Sequence, residues 1–291
     1  MRNILFLVLS LLVSGLTLSA QQPISNALQS LVDAEQDFAR LATTRGIRDS
    51  FLEFFTEDSI ALVPGPQSAV ERLKGQPARP FSEQSLEWEP RAGDIAASLD
   101  FGWLTGPSIF TDRVSGGAAN GAPRYGNYLS IWRRTSAWRW KVYIDVGSDA
   151  PSPVTFAPGF VQMALPSRYT FGAEPSDANS IVEVDKALNA GVASAGVSEA
   201  MATVLAAESR VHRKGALPHV GRANILEFFQ GLDPASQRPA CTTGGSGAAR
   251  SSDLGYSYGL CTAPGASAPT SYLRVWARDA SARWWLVIDA G

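Results

Sequence analysis

Histidine and cysteine are scarce in this 291-residue sequence, with two of each, and basic residues do not outnumber acidic ones. The formal net charge of −2 argues against a nucleic-acid partner, because such a partner requires a basic surface. No cluster of Lys or Arg indicates a membrane-surface patch either. The sequence also lacks a Ser-His-Asp arrangement, a P-loop and a dinucleotide-binding glycine motif, which argues against those common enzyme classes.

The two histidines make a poor metal-binding pair. His212 and His219 lie seven residues apart, and the neighbouring Arg213 and Lys214 disfavour a bound cation. No cysteine lies close to them in the sequence. We therefore predict no metal and no other cofactor, while His212 stays a candidate for contact with a ligand.

The N-terminus has the pattern of a secretory signal peptide. A basic start is followed by an apolar run from Ile4 to about Leu18 and by small residues at Ser19-Ala20. The run is shorter than a typical membrane span, although a retained signal anchor is the alternative interpretation. We expect cleavage after residue 20, no membrane attachment afterwards, and a periplasmic or secreted location.

The two cysteines are expected to form a disulfide, because an isolated pair in an exported protein more often pairs than binds metal. Cys241 and Cys261 are equally distant from residue 251, inside the predicted hairpin turn at 251–253. Equal arms place the two cysteines opposite each other on neighbouring strands, where Cα atoms lie close enough for a disulfide.

The chain contains an internal repeat. Residues 128–147 (YLSIWRRTSAWRWKVYIDVG) match residues 272–291 (YLRVWARDASARWWLVIDAG) without a gap, and DFGWLTG at 100–106 matches DLGYSYG at 253–259. Both patterns are typical of β-strands, and the first pair reads as a β-hairpin. We therefore predict one domain at 21–147, a Pro-rich linker at 148–176 and a second domain at 177–291.

In each copy, a segment whose apolar residues have helical spacing comes before the strands. Apolar residues recur at helical intervals within 25–45 and again from residue 181, and each stripe includes one acid, Glu35 or Asp185. In the first copy the pattern predicts further helices at 48–55 and 68–74, strands at 60–63, 86–97 and 101–110, and a Gly/Ala loop at 116–121. Segregated helices and strands indicate an α+β fold.

These motifs resemble the DUF4440/SnoaL-like group of the NTF2-like superfamily, over residues 25–147 and 177–291. The resemblance rests on the acid within the first helix, Gly46 between helices, DLGYSYG, and the W…WxxxIDxG pattern. It implies two cystatin-like cone domains, each a curved antiparallel sheet wrapped around N-terminal helices, with a pocket. The superfamily includes ketosteroid isomerase-like enzymes and polyketide cyclases, so the fold alone does not define a function.

Strand alternation assigns the candidate ligand-binding residues to two groups, one on each face of a sheet. The first group is Trp103, Tyr256 and Tyr258, and the second is Tyr128, Trp132, Tyr272, Arg274 and Trp276. The sequence does not say which group faces a pocket, and core packing is the alternative for each aromatic residue. Asp145 and Asp289 end matched strands, where they are expected to bond backbone N–H groups or a nearby Arg.

Glu35 and Asp185 are the candidate catalytic residues. A carboxylate within an apolar stripe must be hydrogen-bonded or paired, or its pKa must rise. A structural hydrogen bond from helix to sheet is one interpretation, and a general base or ligand anchor is the other. Asp185 is favoured for the second role, because His212, Tyr258 and Arg274 are predicted to converge with it.

Three functions follow as hypotheses. The first is binding of a small, partly apolar molecule in one or both cones. The second is an isomerase-, cyclase- or hydrolase-like reaction that uses a buried carboxylate, and the third is a structural or interaction module whose pockets are filled by its own side chains. Because a covalent link raises effective concentration, we also predict that the two domains pack together as a pseudo-dimer and that the chain is a monomer.

Overall fold

The computed structural model describes residues 24–113, 121–170 and 178–291. The predicted signal peptide and most of the predicted Gly/Ala loop lie outside the described residues. Among the helices described, none combines the length and the apolar character needed to cross a membrane.

The first half of the chain contains helices and one sheet. Its elements are α1 (Asn26–Arg45), α2 (Ile47–Phe54), β1 (Phe55–Ala61), β2 (Gln67–Ser68), α3 (Ala69–Lys74), β3 (Gln84–Trp88), β4 (Ala92–Ile95), β5 (Phe101–Asp112), β6 (Arg124–Arg134), β7 (Trp140–Ala150) and β8 (Val161–Gln162). The strand order is β2-β1-β7-β6-β5-β4-β8, and β3 also pairs with β5.

The second half repeats this arrangement. Its elements are α4 (Ala178–Ala195), α5 (Val197–Ala202), β9 (Leu205–His212), β10 (His219–Val220), α6 (Arg222–Gln230), β11 (Ala240–Ala248), β12 (Leu254–Thr262), β13 (Thr270–Arg278) and β14 (Trp284–Ala290). The strand order is β10-β9-β14-β13-β12-β11. The predicted α+β class with two similar domains is confirmed.

Both sheets are mostly antiparallel, but neither is entirely so. β1 pairs with β7 in the parallel direction, and β9 pairs with β14 in the same way. In each half the strand that follows the helices therefore lies beside the last long strand of the same half. The prediction of purely antiparallel sheets was incomplete at these two places, because strand order cannot be read from alternation alone.

Helix α1 begins and ends where its local sequence predicts. The Ser25 hydroxyl accepts the backbone N–H of Leu28 at 3.2 Å, which caps the first turn. Gly46 ends the helix with a φ of 79°, a conformation that glycine adopts without steric strain. The buried face of α1 contains Leu31, Glu35 and Phe38, so the acid of the predicted stripe does face the sheet.

A bulge occurs at the same point of both repeated hairpins. The register shifts between Ile131 and Trp132 in the first half and between Val275 and Trp276 in the second. An extra residue at a bulge bends the strand and increases its twist. The two hairpins are therefore alike in shape as well as in sequence.

The two sheets pack face to face through one hydrophobic cluster. Members from the first sheet include Trp103 and Ile131, and members from the second include Tyr256 and Val275. The opposite faces of the sheets carry the helices and form two separate clusters, one in each half. Each sheet is thus buried on both faces, one against helices and one against the other sheet.

Equivalent turns of the two copies meet at one edge of this interface. The hydroxyl oxygens of Ser98 and Ser251 lie 2.9 Å apart, and the backbone N–H of Ala97 donates to Asp253. Arg168 forms ion pairs with Asp94 of the first half and Asp253 of the second. A residue that meets its own counterpart is typical of a two-fold arrangement.

The predicted linker contributes structure of its own. Strand β7 continues through Ala150, and β8 pairs with β4 in the parallel direction. Val154 and Tyr169 are buried. The exact domain boundaries stay a prediction, but the described part of this segment lies against the folded halves.

Candidate functional site

Each half contains a cavity between its helices and its sheet. The first cavity has a volume of about 360 Å³, and Phe51, Phe55, Leu73 and Trp88 supply much of its apolar wall. The second cavity, of about 310 Å³, is lined by residues such as Val197, Met201, Phe229 and Leu232. A cleft of about 360 Å³ lies between the two halves.

Two polar groups of the first cavity have no hydrogen-bond partner among the described residues. Tyr128 is 5% exposed, and its hydroxyl makes no hydrogen bond with any residue that the structure describes. Asp145 also lines this cavity, and its carboxylate accepts no hydrogen bond within the described part of the chain. Both side chains project from the neighbouring strands β6 and β7, where Ser130 pairs with Asp145 and Tyr128 pairs with Gly147.

The surroundings favour the neutral form of both groups. Burial, followed by the negative charge of Glu35, raises the pKa of Asp145 well above its ordinary value. Burial also raises the pKa of the Tyr128 hydroxyl, with smaller contributions from Glu35, Asp145 and Glu89. A neutral carboxylic acid and a phenol both donate hydrogen bonds, so the cavity combines an apolar wall with two donors.

Glu35 lies behind the cavity wall. Its carboxylate accepts from the indole N–H groups of Trp88 and Trp132, each at 2.8 Å, and from the Ser130 hydroxyl at 2.6 Å. Burial raises its pKa, although these three hydrogen bonds act in the opposite direction. The side chain is 0% exposed, and it ties α1 to the sheet.

Asp185 has the same place in the second half but a different set of partners. It accepts from Ser257 at 2.8 Å, from Tyr272 at 2.6 Å and from the Arg274 guanidinium at 2.8 Å. Thr243 and Asn189 donate to it as well. The predicted burial and pairing of both stripe acids are therefore confirmed, while their role in catalysis stays a prediction.

Asp289 is the counterpart of Asp145, and it is paired. Its carboxylate accepts from Arg213 Nη2 at 2.6 Å and lies 3.4 Å from Arg274 Nε. Burial would raise the pKa of Asp289, but the two guanidinium groups hold it below its ordinary value. Among the described residues, the expected Arg partner thus exists for Asp289 and not for Asp145.

Two differences between the copies explain this contrast. The repeated hairpins place Ser130 where the second copy has Arg274, and Val63 lies 150 positions before Arg213. The first copy therefore has neither of the cations that hold Asp289 at these positions. Asp145 retains the acid without those counter-ions, so they do not offset the burial and the charge of Glu35 that raise its pKa.

The predicted ligand-binding residues divide by sheet face. Those that face the helices are Tyr128, Trp132, Tyr272, Arg274 and Trp276. Those on the side of the other sheet are Trp103, His212, Tyr256 and Tyr258. Three of the nine line one of the two cavities, namely Tyr128 in the first and Tyr272 and Arg274 in the second.

The predicted convergence on Asp185 takes place only in part. Arg274 contacts Asp185, whereas Tyr258 packs between the sheets and His212 pairs with Ala290 of the inter-sheet cluster. Both ring nitrogens of His212 are buried and have no hydrogen-bond partner among the described residues. The side chain lies on the sheet face opposite to Asp185.

The sequence predicts only a structural role for Asp145, and it does not indicate that Arg213 and Lys214 line a cavity. A signal was available in the alignment of the two copies. The acid is kept at 145 and 289, while the two arginines that pair with Asp289 are replaced in the first copy. An acid that is kept where its cations are absent is a candidate for contact with something other than the protein.

The predicted disulfide is confirmed. Cys241 and Cys261 are bonded to each other and lie opposite each other on β11 and β12. They also line the second cavity. In the residues described, no three His, Cys, Asp or Glu side chains come together in a way that could hold a metal ion.

Comparison with known proteins gives matches among solved structures alone. No protein-family model matches the chain, and no curated protein matches it. A ketosteroid isomerase-like protein from Erwinia carotovora atroseptica SCRI1043 is 16% identical with a TM-score of 0.33, covering 44% of this chain and 100% of its own. An NTF2-like protein of unknown function from Shewanella oneidensis MR-1 is 15% identical with a TM-score of 0.33, covering 42% and 98%.

An NTF2-like protein with a cystatin-like fold, from Novosphingobium aromaticivorans, is 18% identical with a TM-score of 0.33, covering 42% of this chain and 80% of its own. Each of these structures thus matches less than half of the chain. At these identities and TM-scores no function follows from the likeness. The solved structures similar to this chain thus include NTF2-like and ketosteroid isomerase-like proteins.

Proposed function

We propose that the chain is exported and binds a small, partly apolar molecule in its first cavity. The ligand carries a hydrogen-bond acceptor, such as a ketone oxygen, that meets Asp145 and Tyr128. One observation carries this proposal: the buried Tyr128 hydroxyl and the half-buried Asp145 carboxyl, which make no hydrogen bond with the described residues, face a largely apolar cavity of about 360 Å³. Polar groups withdrawn from water are normally hydrogen-bonded, and ligand sites combine apolar walls with a few such groups.

The raised pKa of Asp145 supports a neutral ligand. A protonated carboxylic acid donates to a carbonyl oxygen, whereas its anion would repel that oxygen. Binding of such a ligand is therefore strongest below the raised pKa of Asp145 and weakens as the pH rises through it.

Phenylacetone is a suitable probe, because it joins an apolar ring to a ketone, and ethylbenzene is its counterpart without an acceptor. Ligand-observed NMR titration measures both dissociation constants. We expect the ketone to bind about tenfold more tightly than the hydrocarbon, a difference typical of one or two well-placed hydrogen bonds. Asp145→Leu should remove this preference and Asp145→Asn, which keeps a donor, should retain most of it.

Equal affinity for ketone and hydrocarbon in the unaltered protein would reject the proposal. An unchanged preference in Asp145→Leu would reject the assignment to this cavity. Asp33 provides the matched control, because it is an exposed acid of α1 that does not line the cavity. Asp33→Leu should leave both dissociation constants unchanged.

An isomerase-like reaction is the second candidate, and the same carboxylate favours it. Once ionised, Asp145 could take a proton from the carbon next to the ketone and return it, while the Tyr128 hydroxyl holds the enolate oxygen. In D₂O this exchange would place deuterium in the methylene group of phenylacetone. Asp145→Asn should abolish the exchange while binding remains, and a rate equal to that of buffer would reject this candidate.

A further inference from the structure

The second cavity differs from the first in its charges. Arg213, Lys214 and Arg274 line it. The corresponding positions of the first copy hold Val63, Pro64 and Ser130, which are all uncharged. Three equivalent positions are thus cationic in one half of the fold and neutral in the other.

Two nitrogens of the Arg274 guanidinium, Nε and Nη2, make no hydrogen bond with the described residues. Nη1 donates to Asp185 and Asn189, each at 2.8 Å, and Nε lies 3.4 Å from Asp289. Nη2 has no hydrogen-bond partner in residues 24–113, 121–170 and 178–291. The side chain is 3% exposed and lines the cavity, so a donor without a protein partner in the described chain lies at its wall.

The buried charges of this site balance each other, and Lys214 adds one more. Arg274 and Arg213 are matched by Asp185 and Asp289. Lys214 forms no ion pair with any residue that the structure describes, and it lines both the second cavity and the cleft between the halves. Lys214 therefore adds a positive charge at the opening of the cavity that forms no ion pair with a described residue.

We propose that the second cavity binds a small organic anion, a carboxylate attached to an apolar body. The carboxylate lies between Arg274 Nη2 and Lys214, where a charge-assisted hydrogen bond and the positive charge of Lys214 favour it. The apolar body packs on Val197, Met201 and Phe229. This site is independent of the one proposed for a neutral ligand, since it lies in the other half of the chain.

Phenylacetate and its neutral analogue phenylacetamide test this proposal on the full chain. We expect the carboxylate to bind about tenfold more tightly than the amide at low ionic strength, with the advantage shrinking as salt screens the charges. Lys214→Glu should weaken phenylacetate binding about tenfold and leave phenylacetamide unchanged. Lys186→Glu is the matched control, because Lys186 is exposed on α4 and lines neither cavity.

Arg274 is less suitable for truncation, because its loss would leave two buried acids without this cation. Arg274→Lys keeps the charge but removes the forked donors, and it should weaken phenylacetate while retaining the folded state by circular dichroism. Equal affinity for carboxylate and amide, or unaltered phenylacetate binding in Lys214→Glu, would overturn the proposal. Asp145→Leu should not affect phenylacetate, so failure at this site and failure at the first cavity are distinguishable.

Discussion

The hydroxyl groups of Ser98 and Ser251, which are equivalent residues of the two copies, lie 2.9 Å apart across the interface between the sheets. Ser98 lies two residues before the DFGWLTG strand and Ser251 two residues before the DLGYSYG strand. Their contact means that the two halves are related approximately by a two-fold axis that passes through this point. A single chain thereby forms the arrangement that a symmetric dimer would form with two.

This contact predicts a specific cross-link. The double variant Ser98→Cys/Ser251→Cys should form an additional disulfide within one chain, because the side chains already meet. Oxidised protein should migrate faster than reduced protein on a denaturing gel, and light scattering should give the mass of one chain. The single variant Ser98→Cys is the control. Cross-linked dimers, or no cross-link at all, would contradict the packing of the halves as a monomeric pair.

Asp145→Asn should increase stability at neutral pH. A carboxyl group whose pKa is raised on folding binds more protons in the folded state, so stability is full below the unfolded pKa and falls as the pH rises through the folded one. The amide does not ionise, so the variant should gain stability at pH 7 and little or nothing near pH 4. Urea unfolding at both pH values measures this. A loss of stability at pH 7 would mean that the ionised acid has a partner in solution.

The two stripe acids should respond differently to neutralisation. Asp185→Asn removes a charge from buried Arg274 and should cost about 3–5 kcal/mol, as breaking a buried ion pair does. The described partners of Glu35 are neutral donors, so Glu35→Gln should cost about 1–3 kcal/mol. Chemical denaturation of both variants tests the order. A nearly unaltered Asp185→Asn protein that no longer binds phenylacetate would instead favour a direct role in ligand binding.

His212 should make the protein sensitive to mild acid. Burial, and then Arg210 and Arg213, lower its pKa from 6.5 to about 3. The unfolded chain therefore binds a proton that the folded chain does not, and stability falls as the pH drops below 6.5, by about 2 kcal/mol at pH 5. His212→Leu should abolish this loss, since Leu62 occupies the matching position in the first copy.

The check on this last prediction is the difference in unfolding free energy between variant and unaltered protein, at pH 8 and at pH 5. The difference should grow in favour of the variant toward pH 5. A difference that stays constant would show that His212 titrates normally in the folded chain. Asp145 affects the pH dependence of stability in the opposite direction. Its contribution cancels because it is the same in the variant and in the unaltered protein.

Local sequence patterns predicted much of the fold. The stripe through Glu35 and the alternation along 128–147 predicted α1 and the hairpin close to their observed bounds. Alternation also sorted the aromatics correctly into two groups. It could not say which group faced the helices, because helices and a second sheet both cover a strand face with apolar side chains.

The site was harder to predict for the same reason. Asp145 and Asp289 have matching sequence surroundings, and they differ through residues distant in the chain, such as Arg213 and Arg274. Strand order places these residues together, and it depends on the parallel pairs of β1 with β7 and β9 with β14. His212 was a candidate because histidine often contacts ligands or takes part in catalysis. Its place in the strand register puts it on the sheet face opposite to Asp185.

Because the two halves belong to one chain, a substitution can change one half without changing the other, which is impossible in a homodimer. In a dimer of identical chains, replacing a cavity arginine by serine would alter both cavities at once. Here the difference between Arg274 and its counterpart Ser130 affects one cavity and leaves the other with its ion pairs. The covalent connection therefore allows one molecule to hold two different chemical preferences within a single, nearly symmetric scaffold.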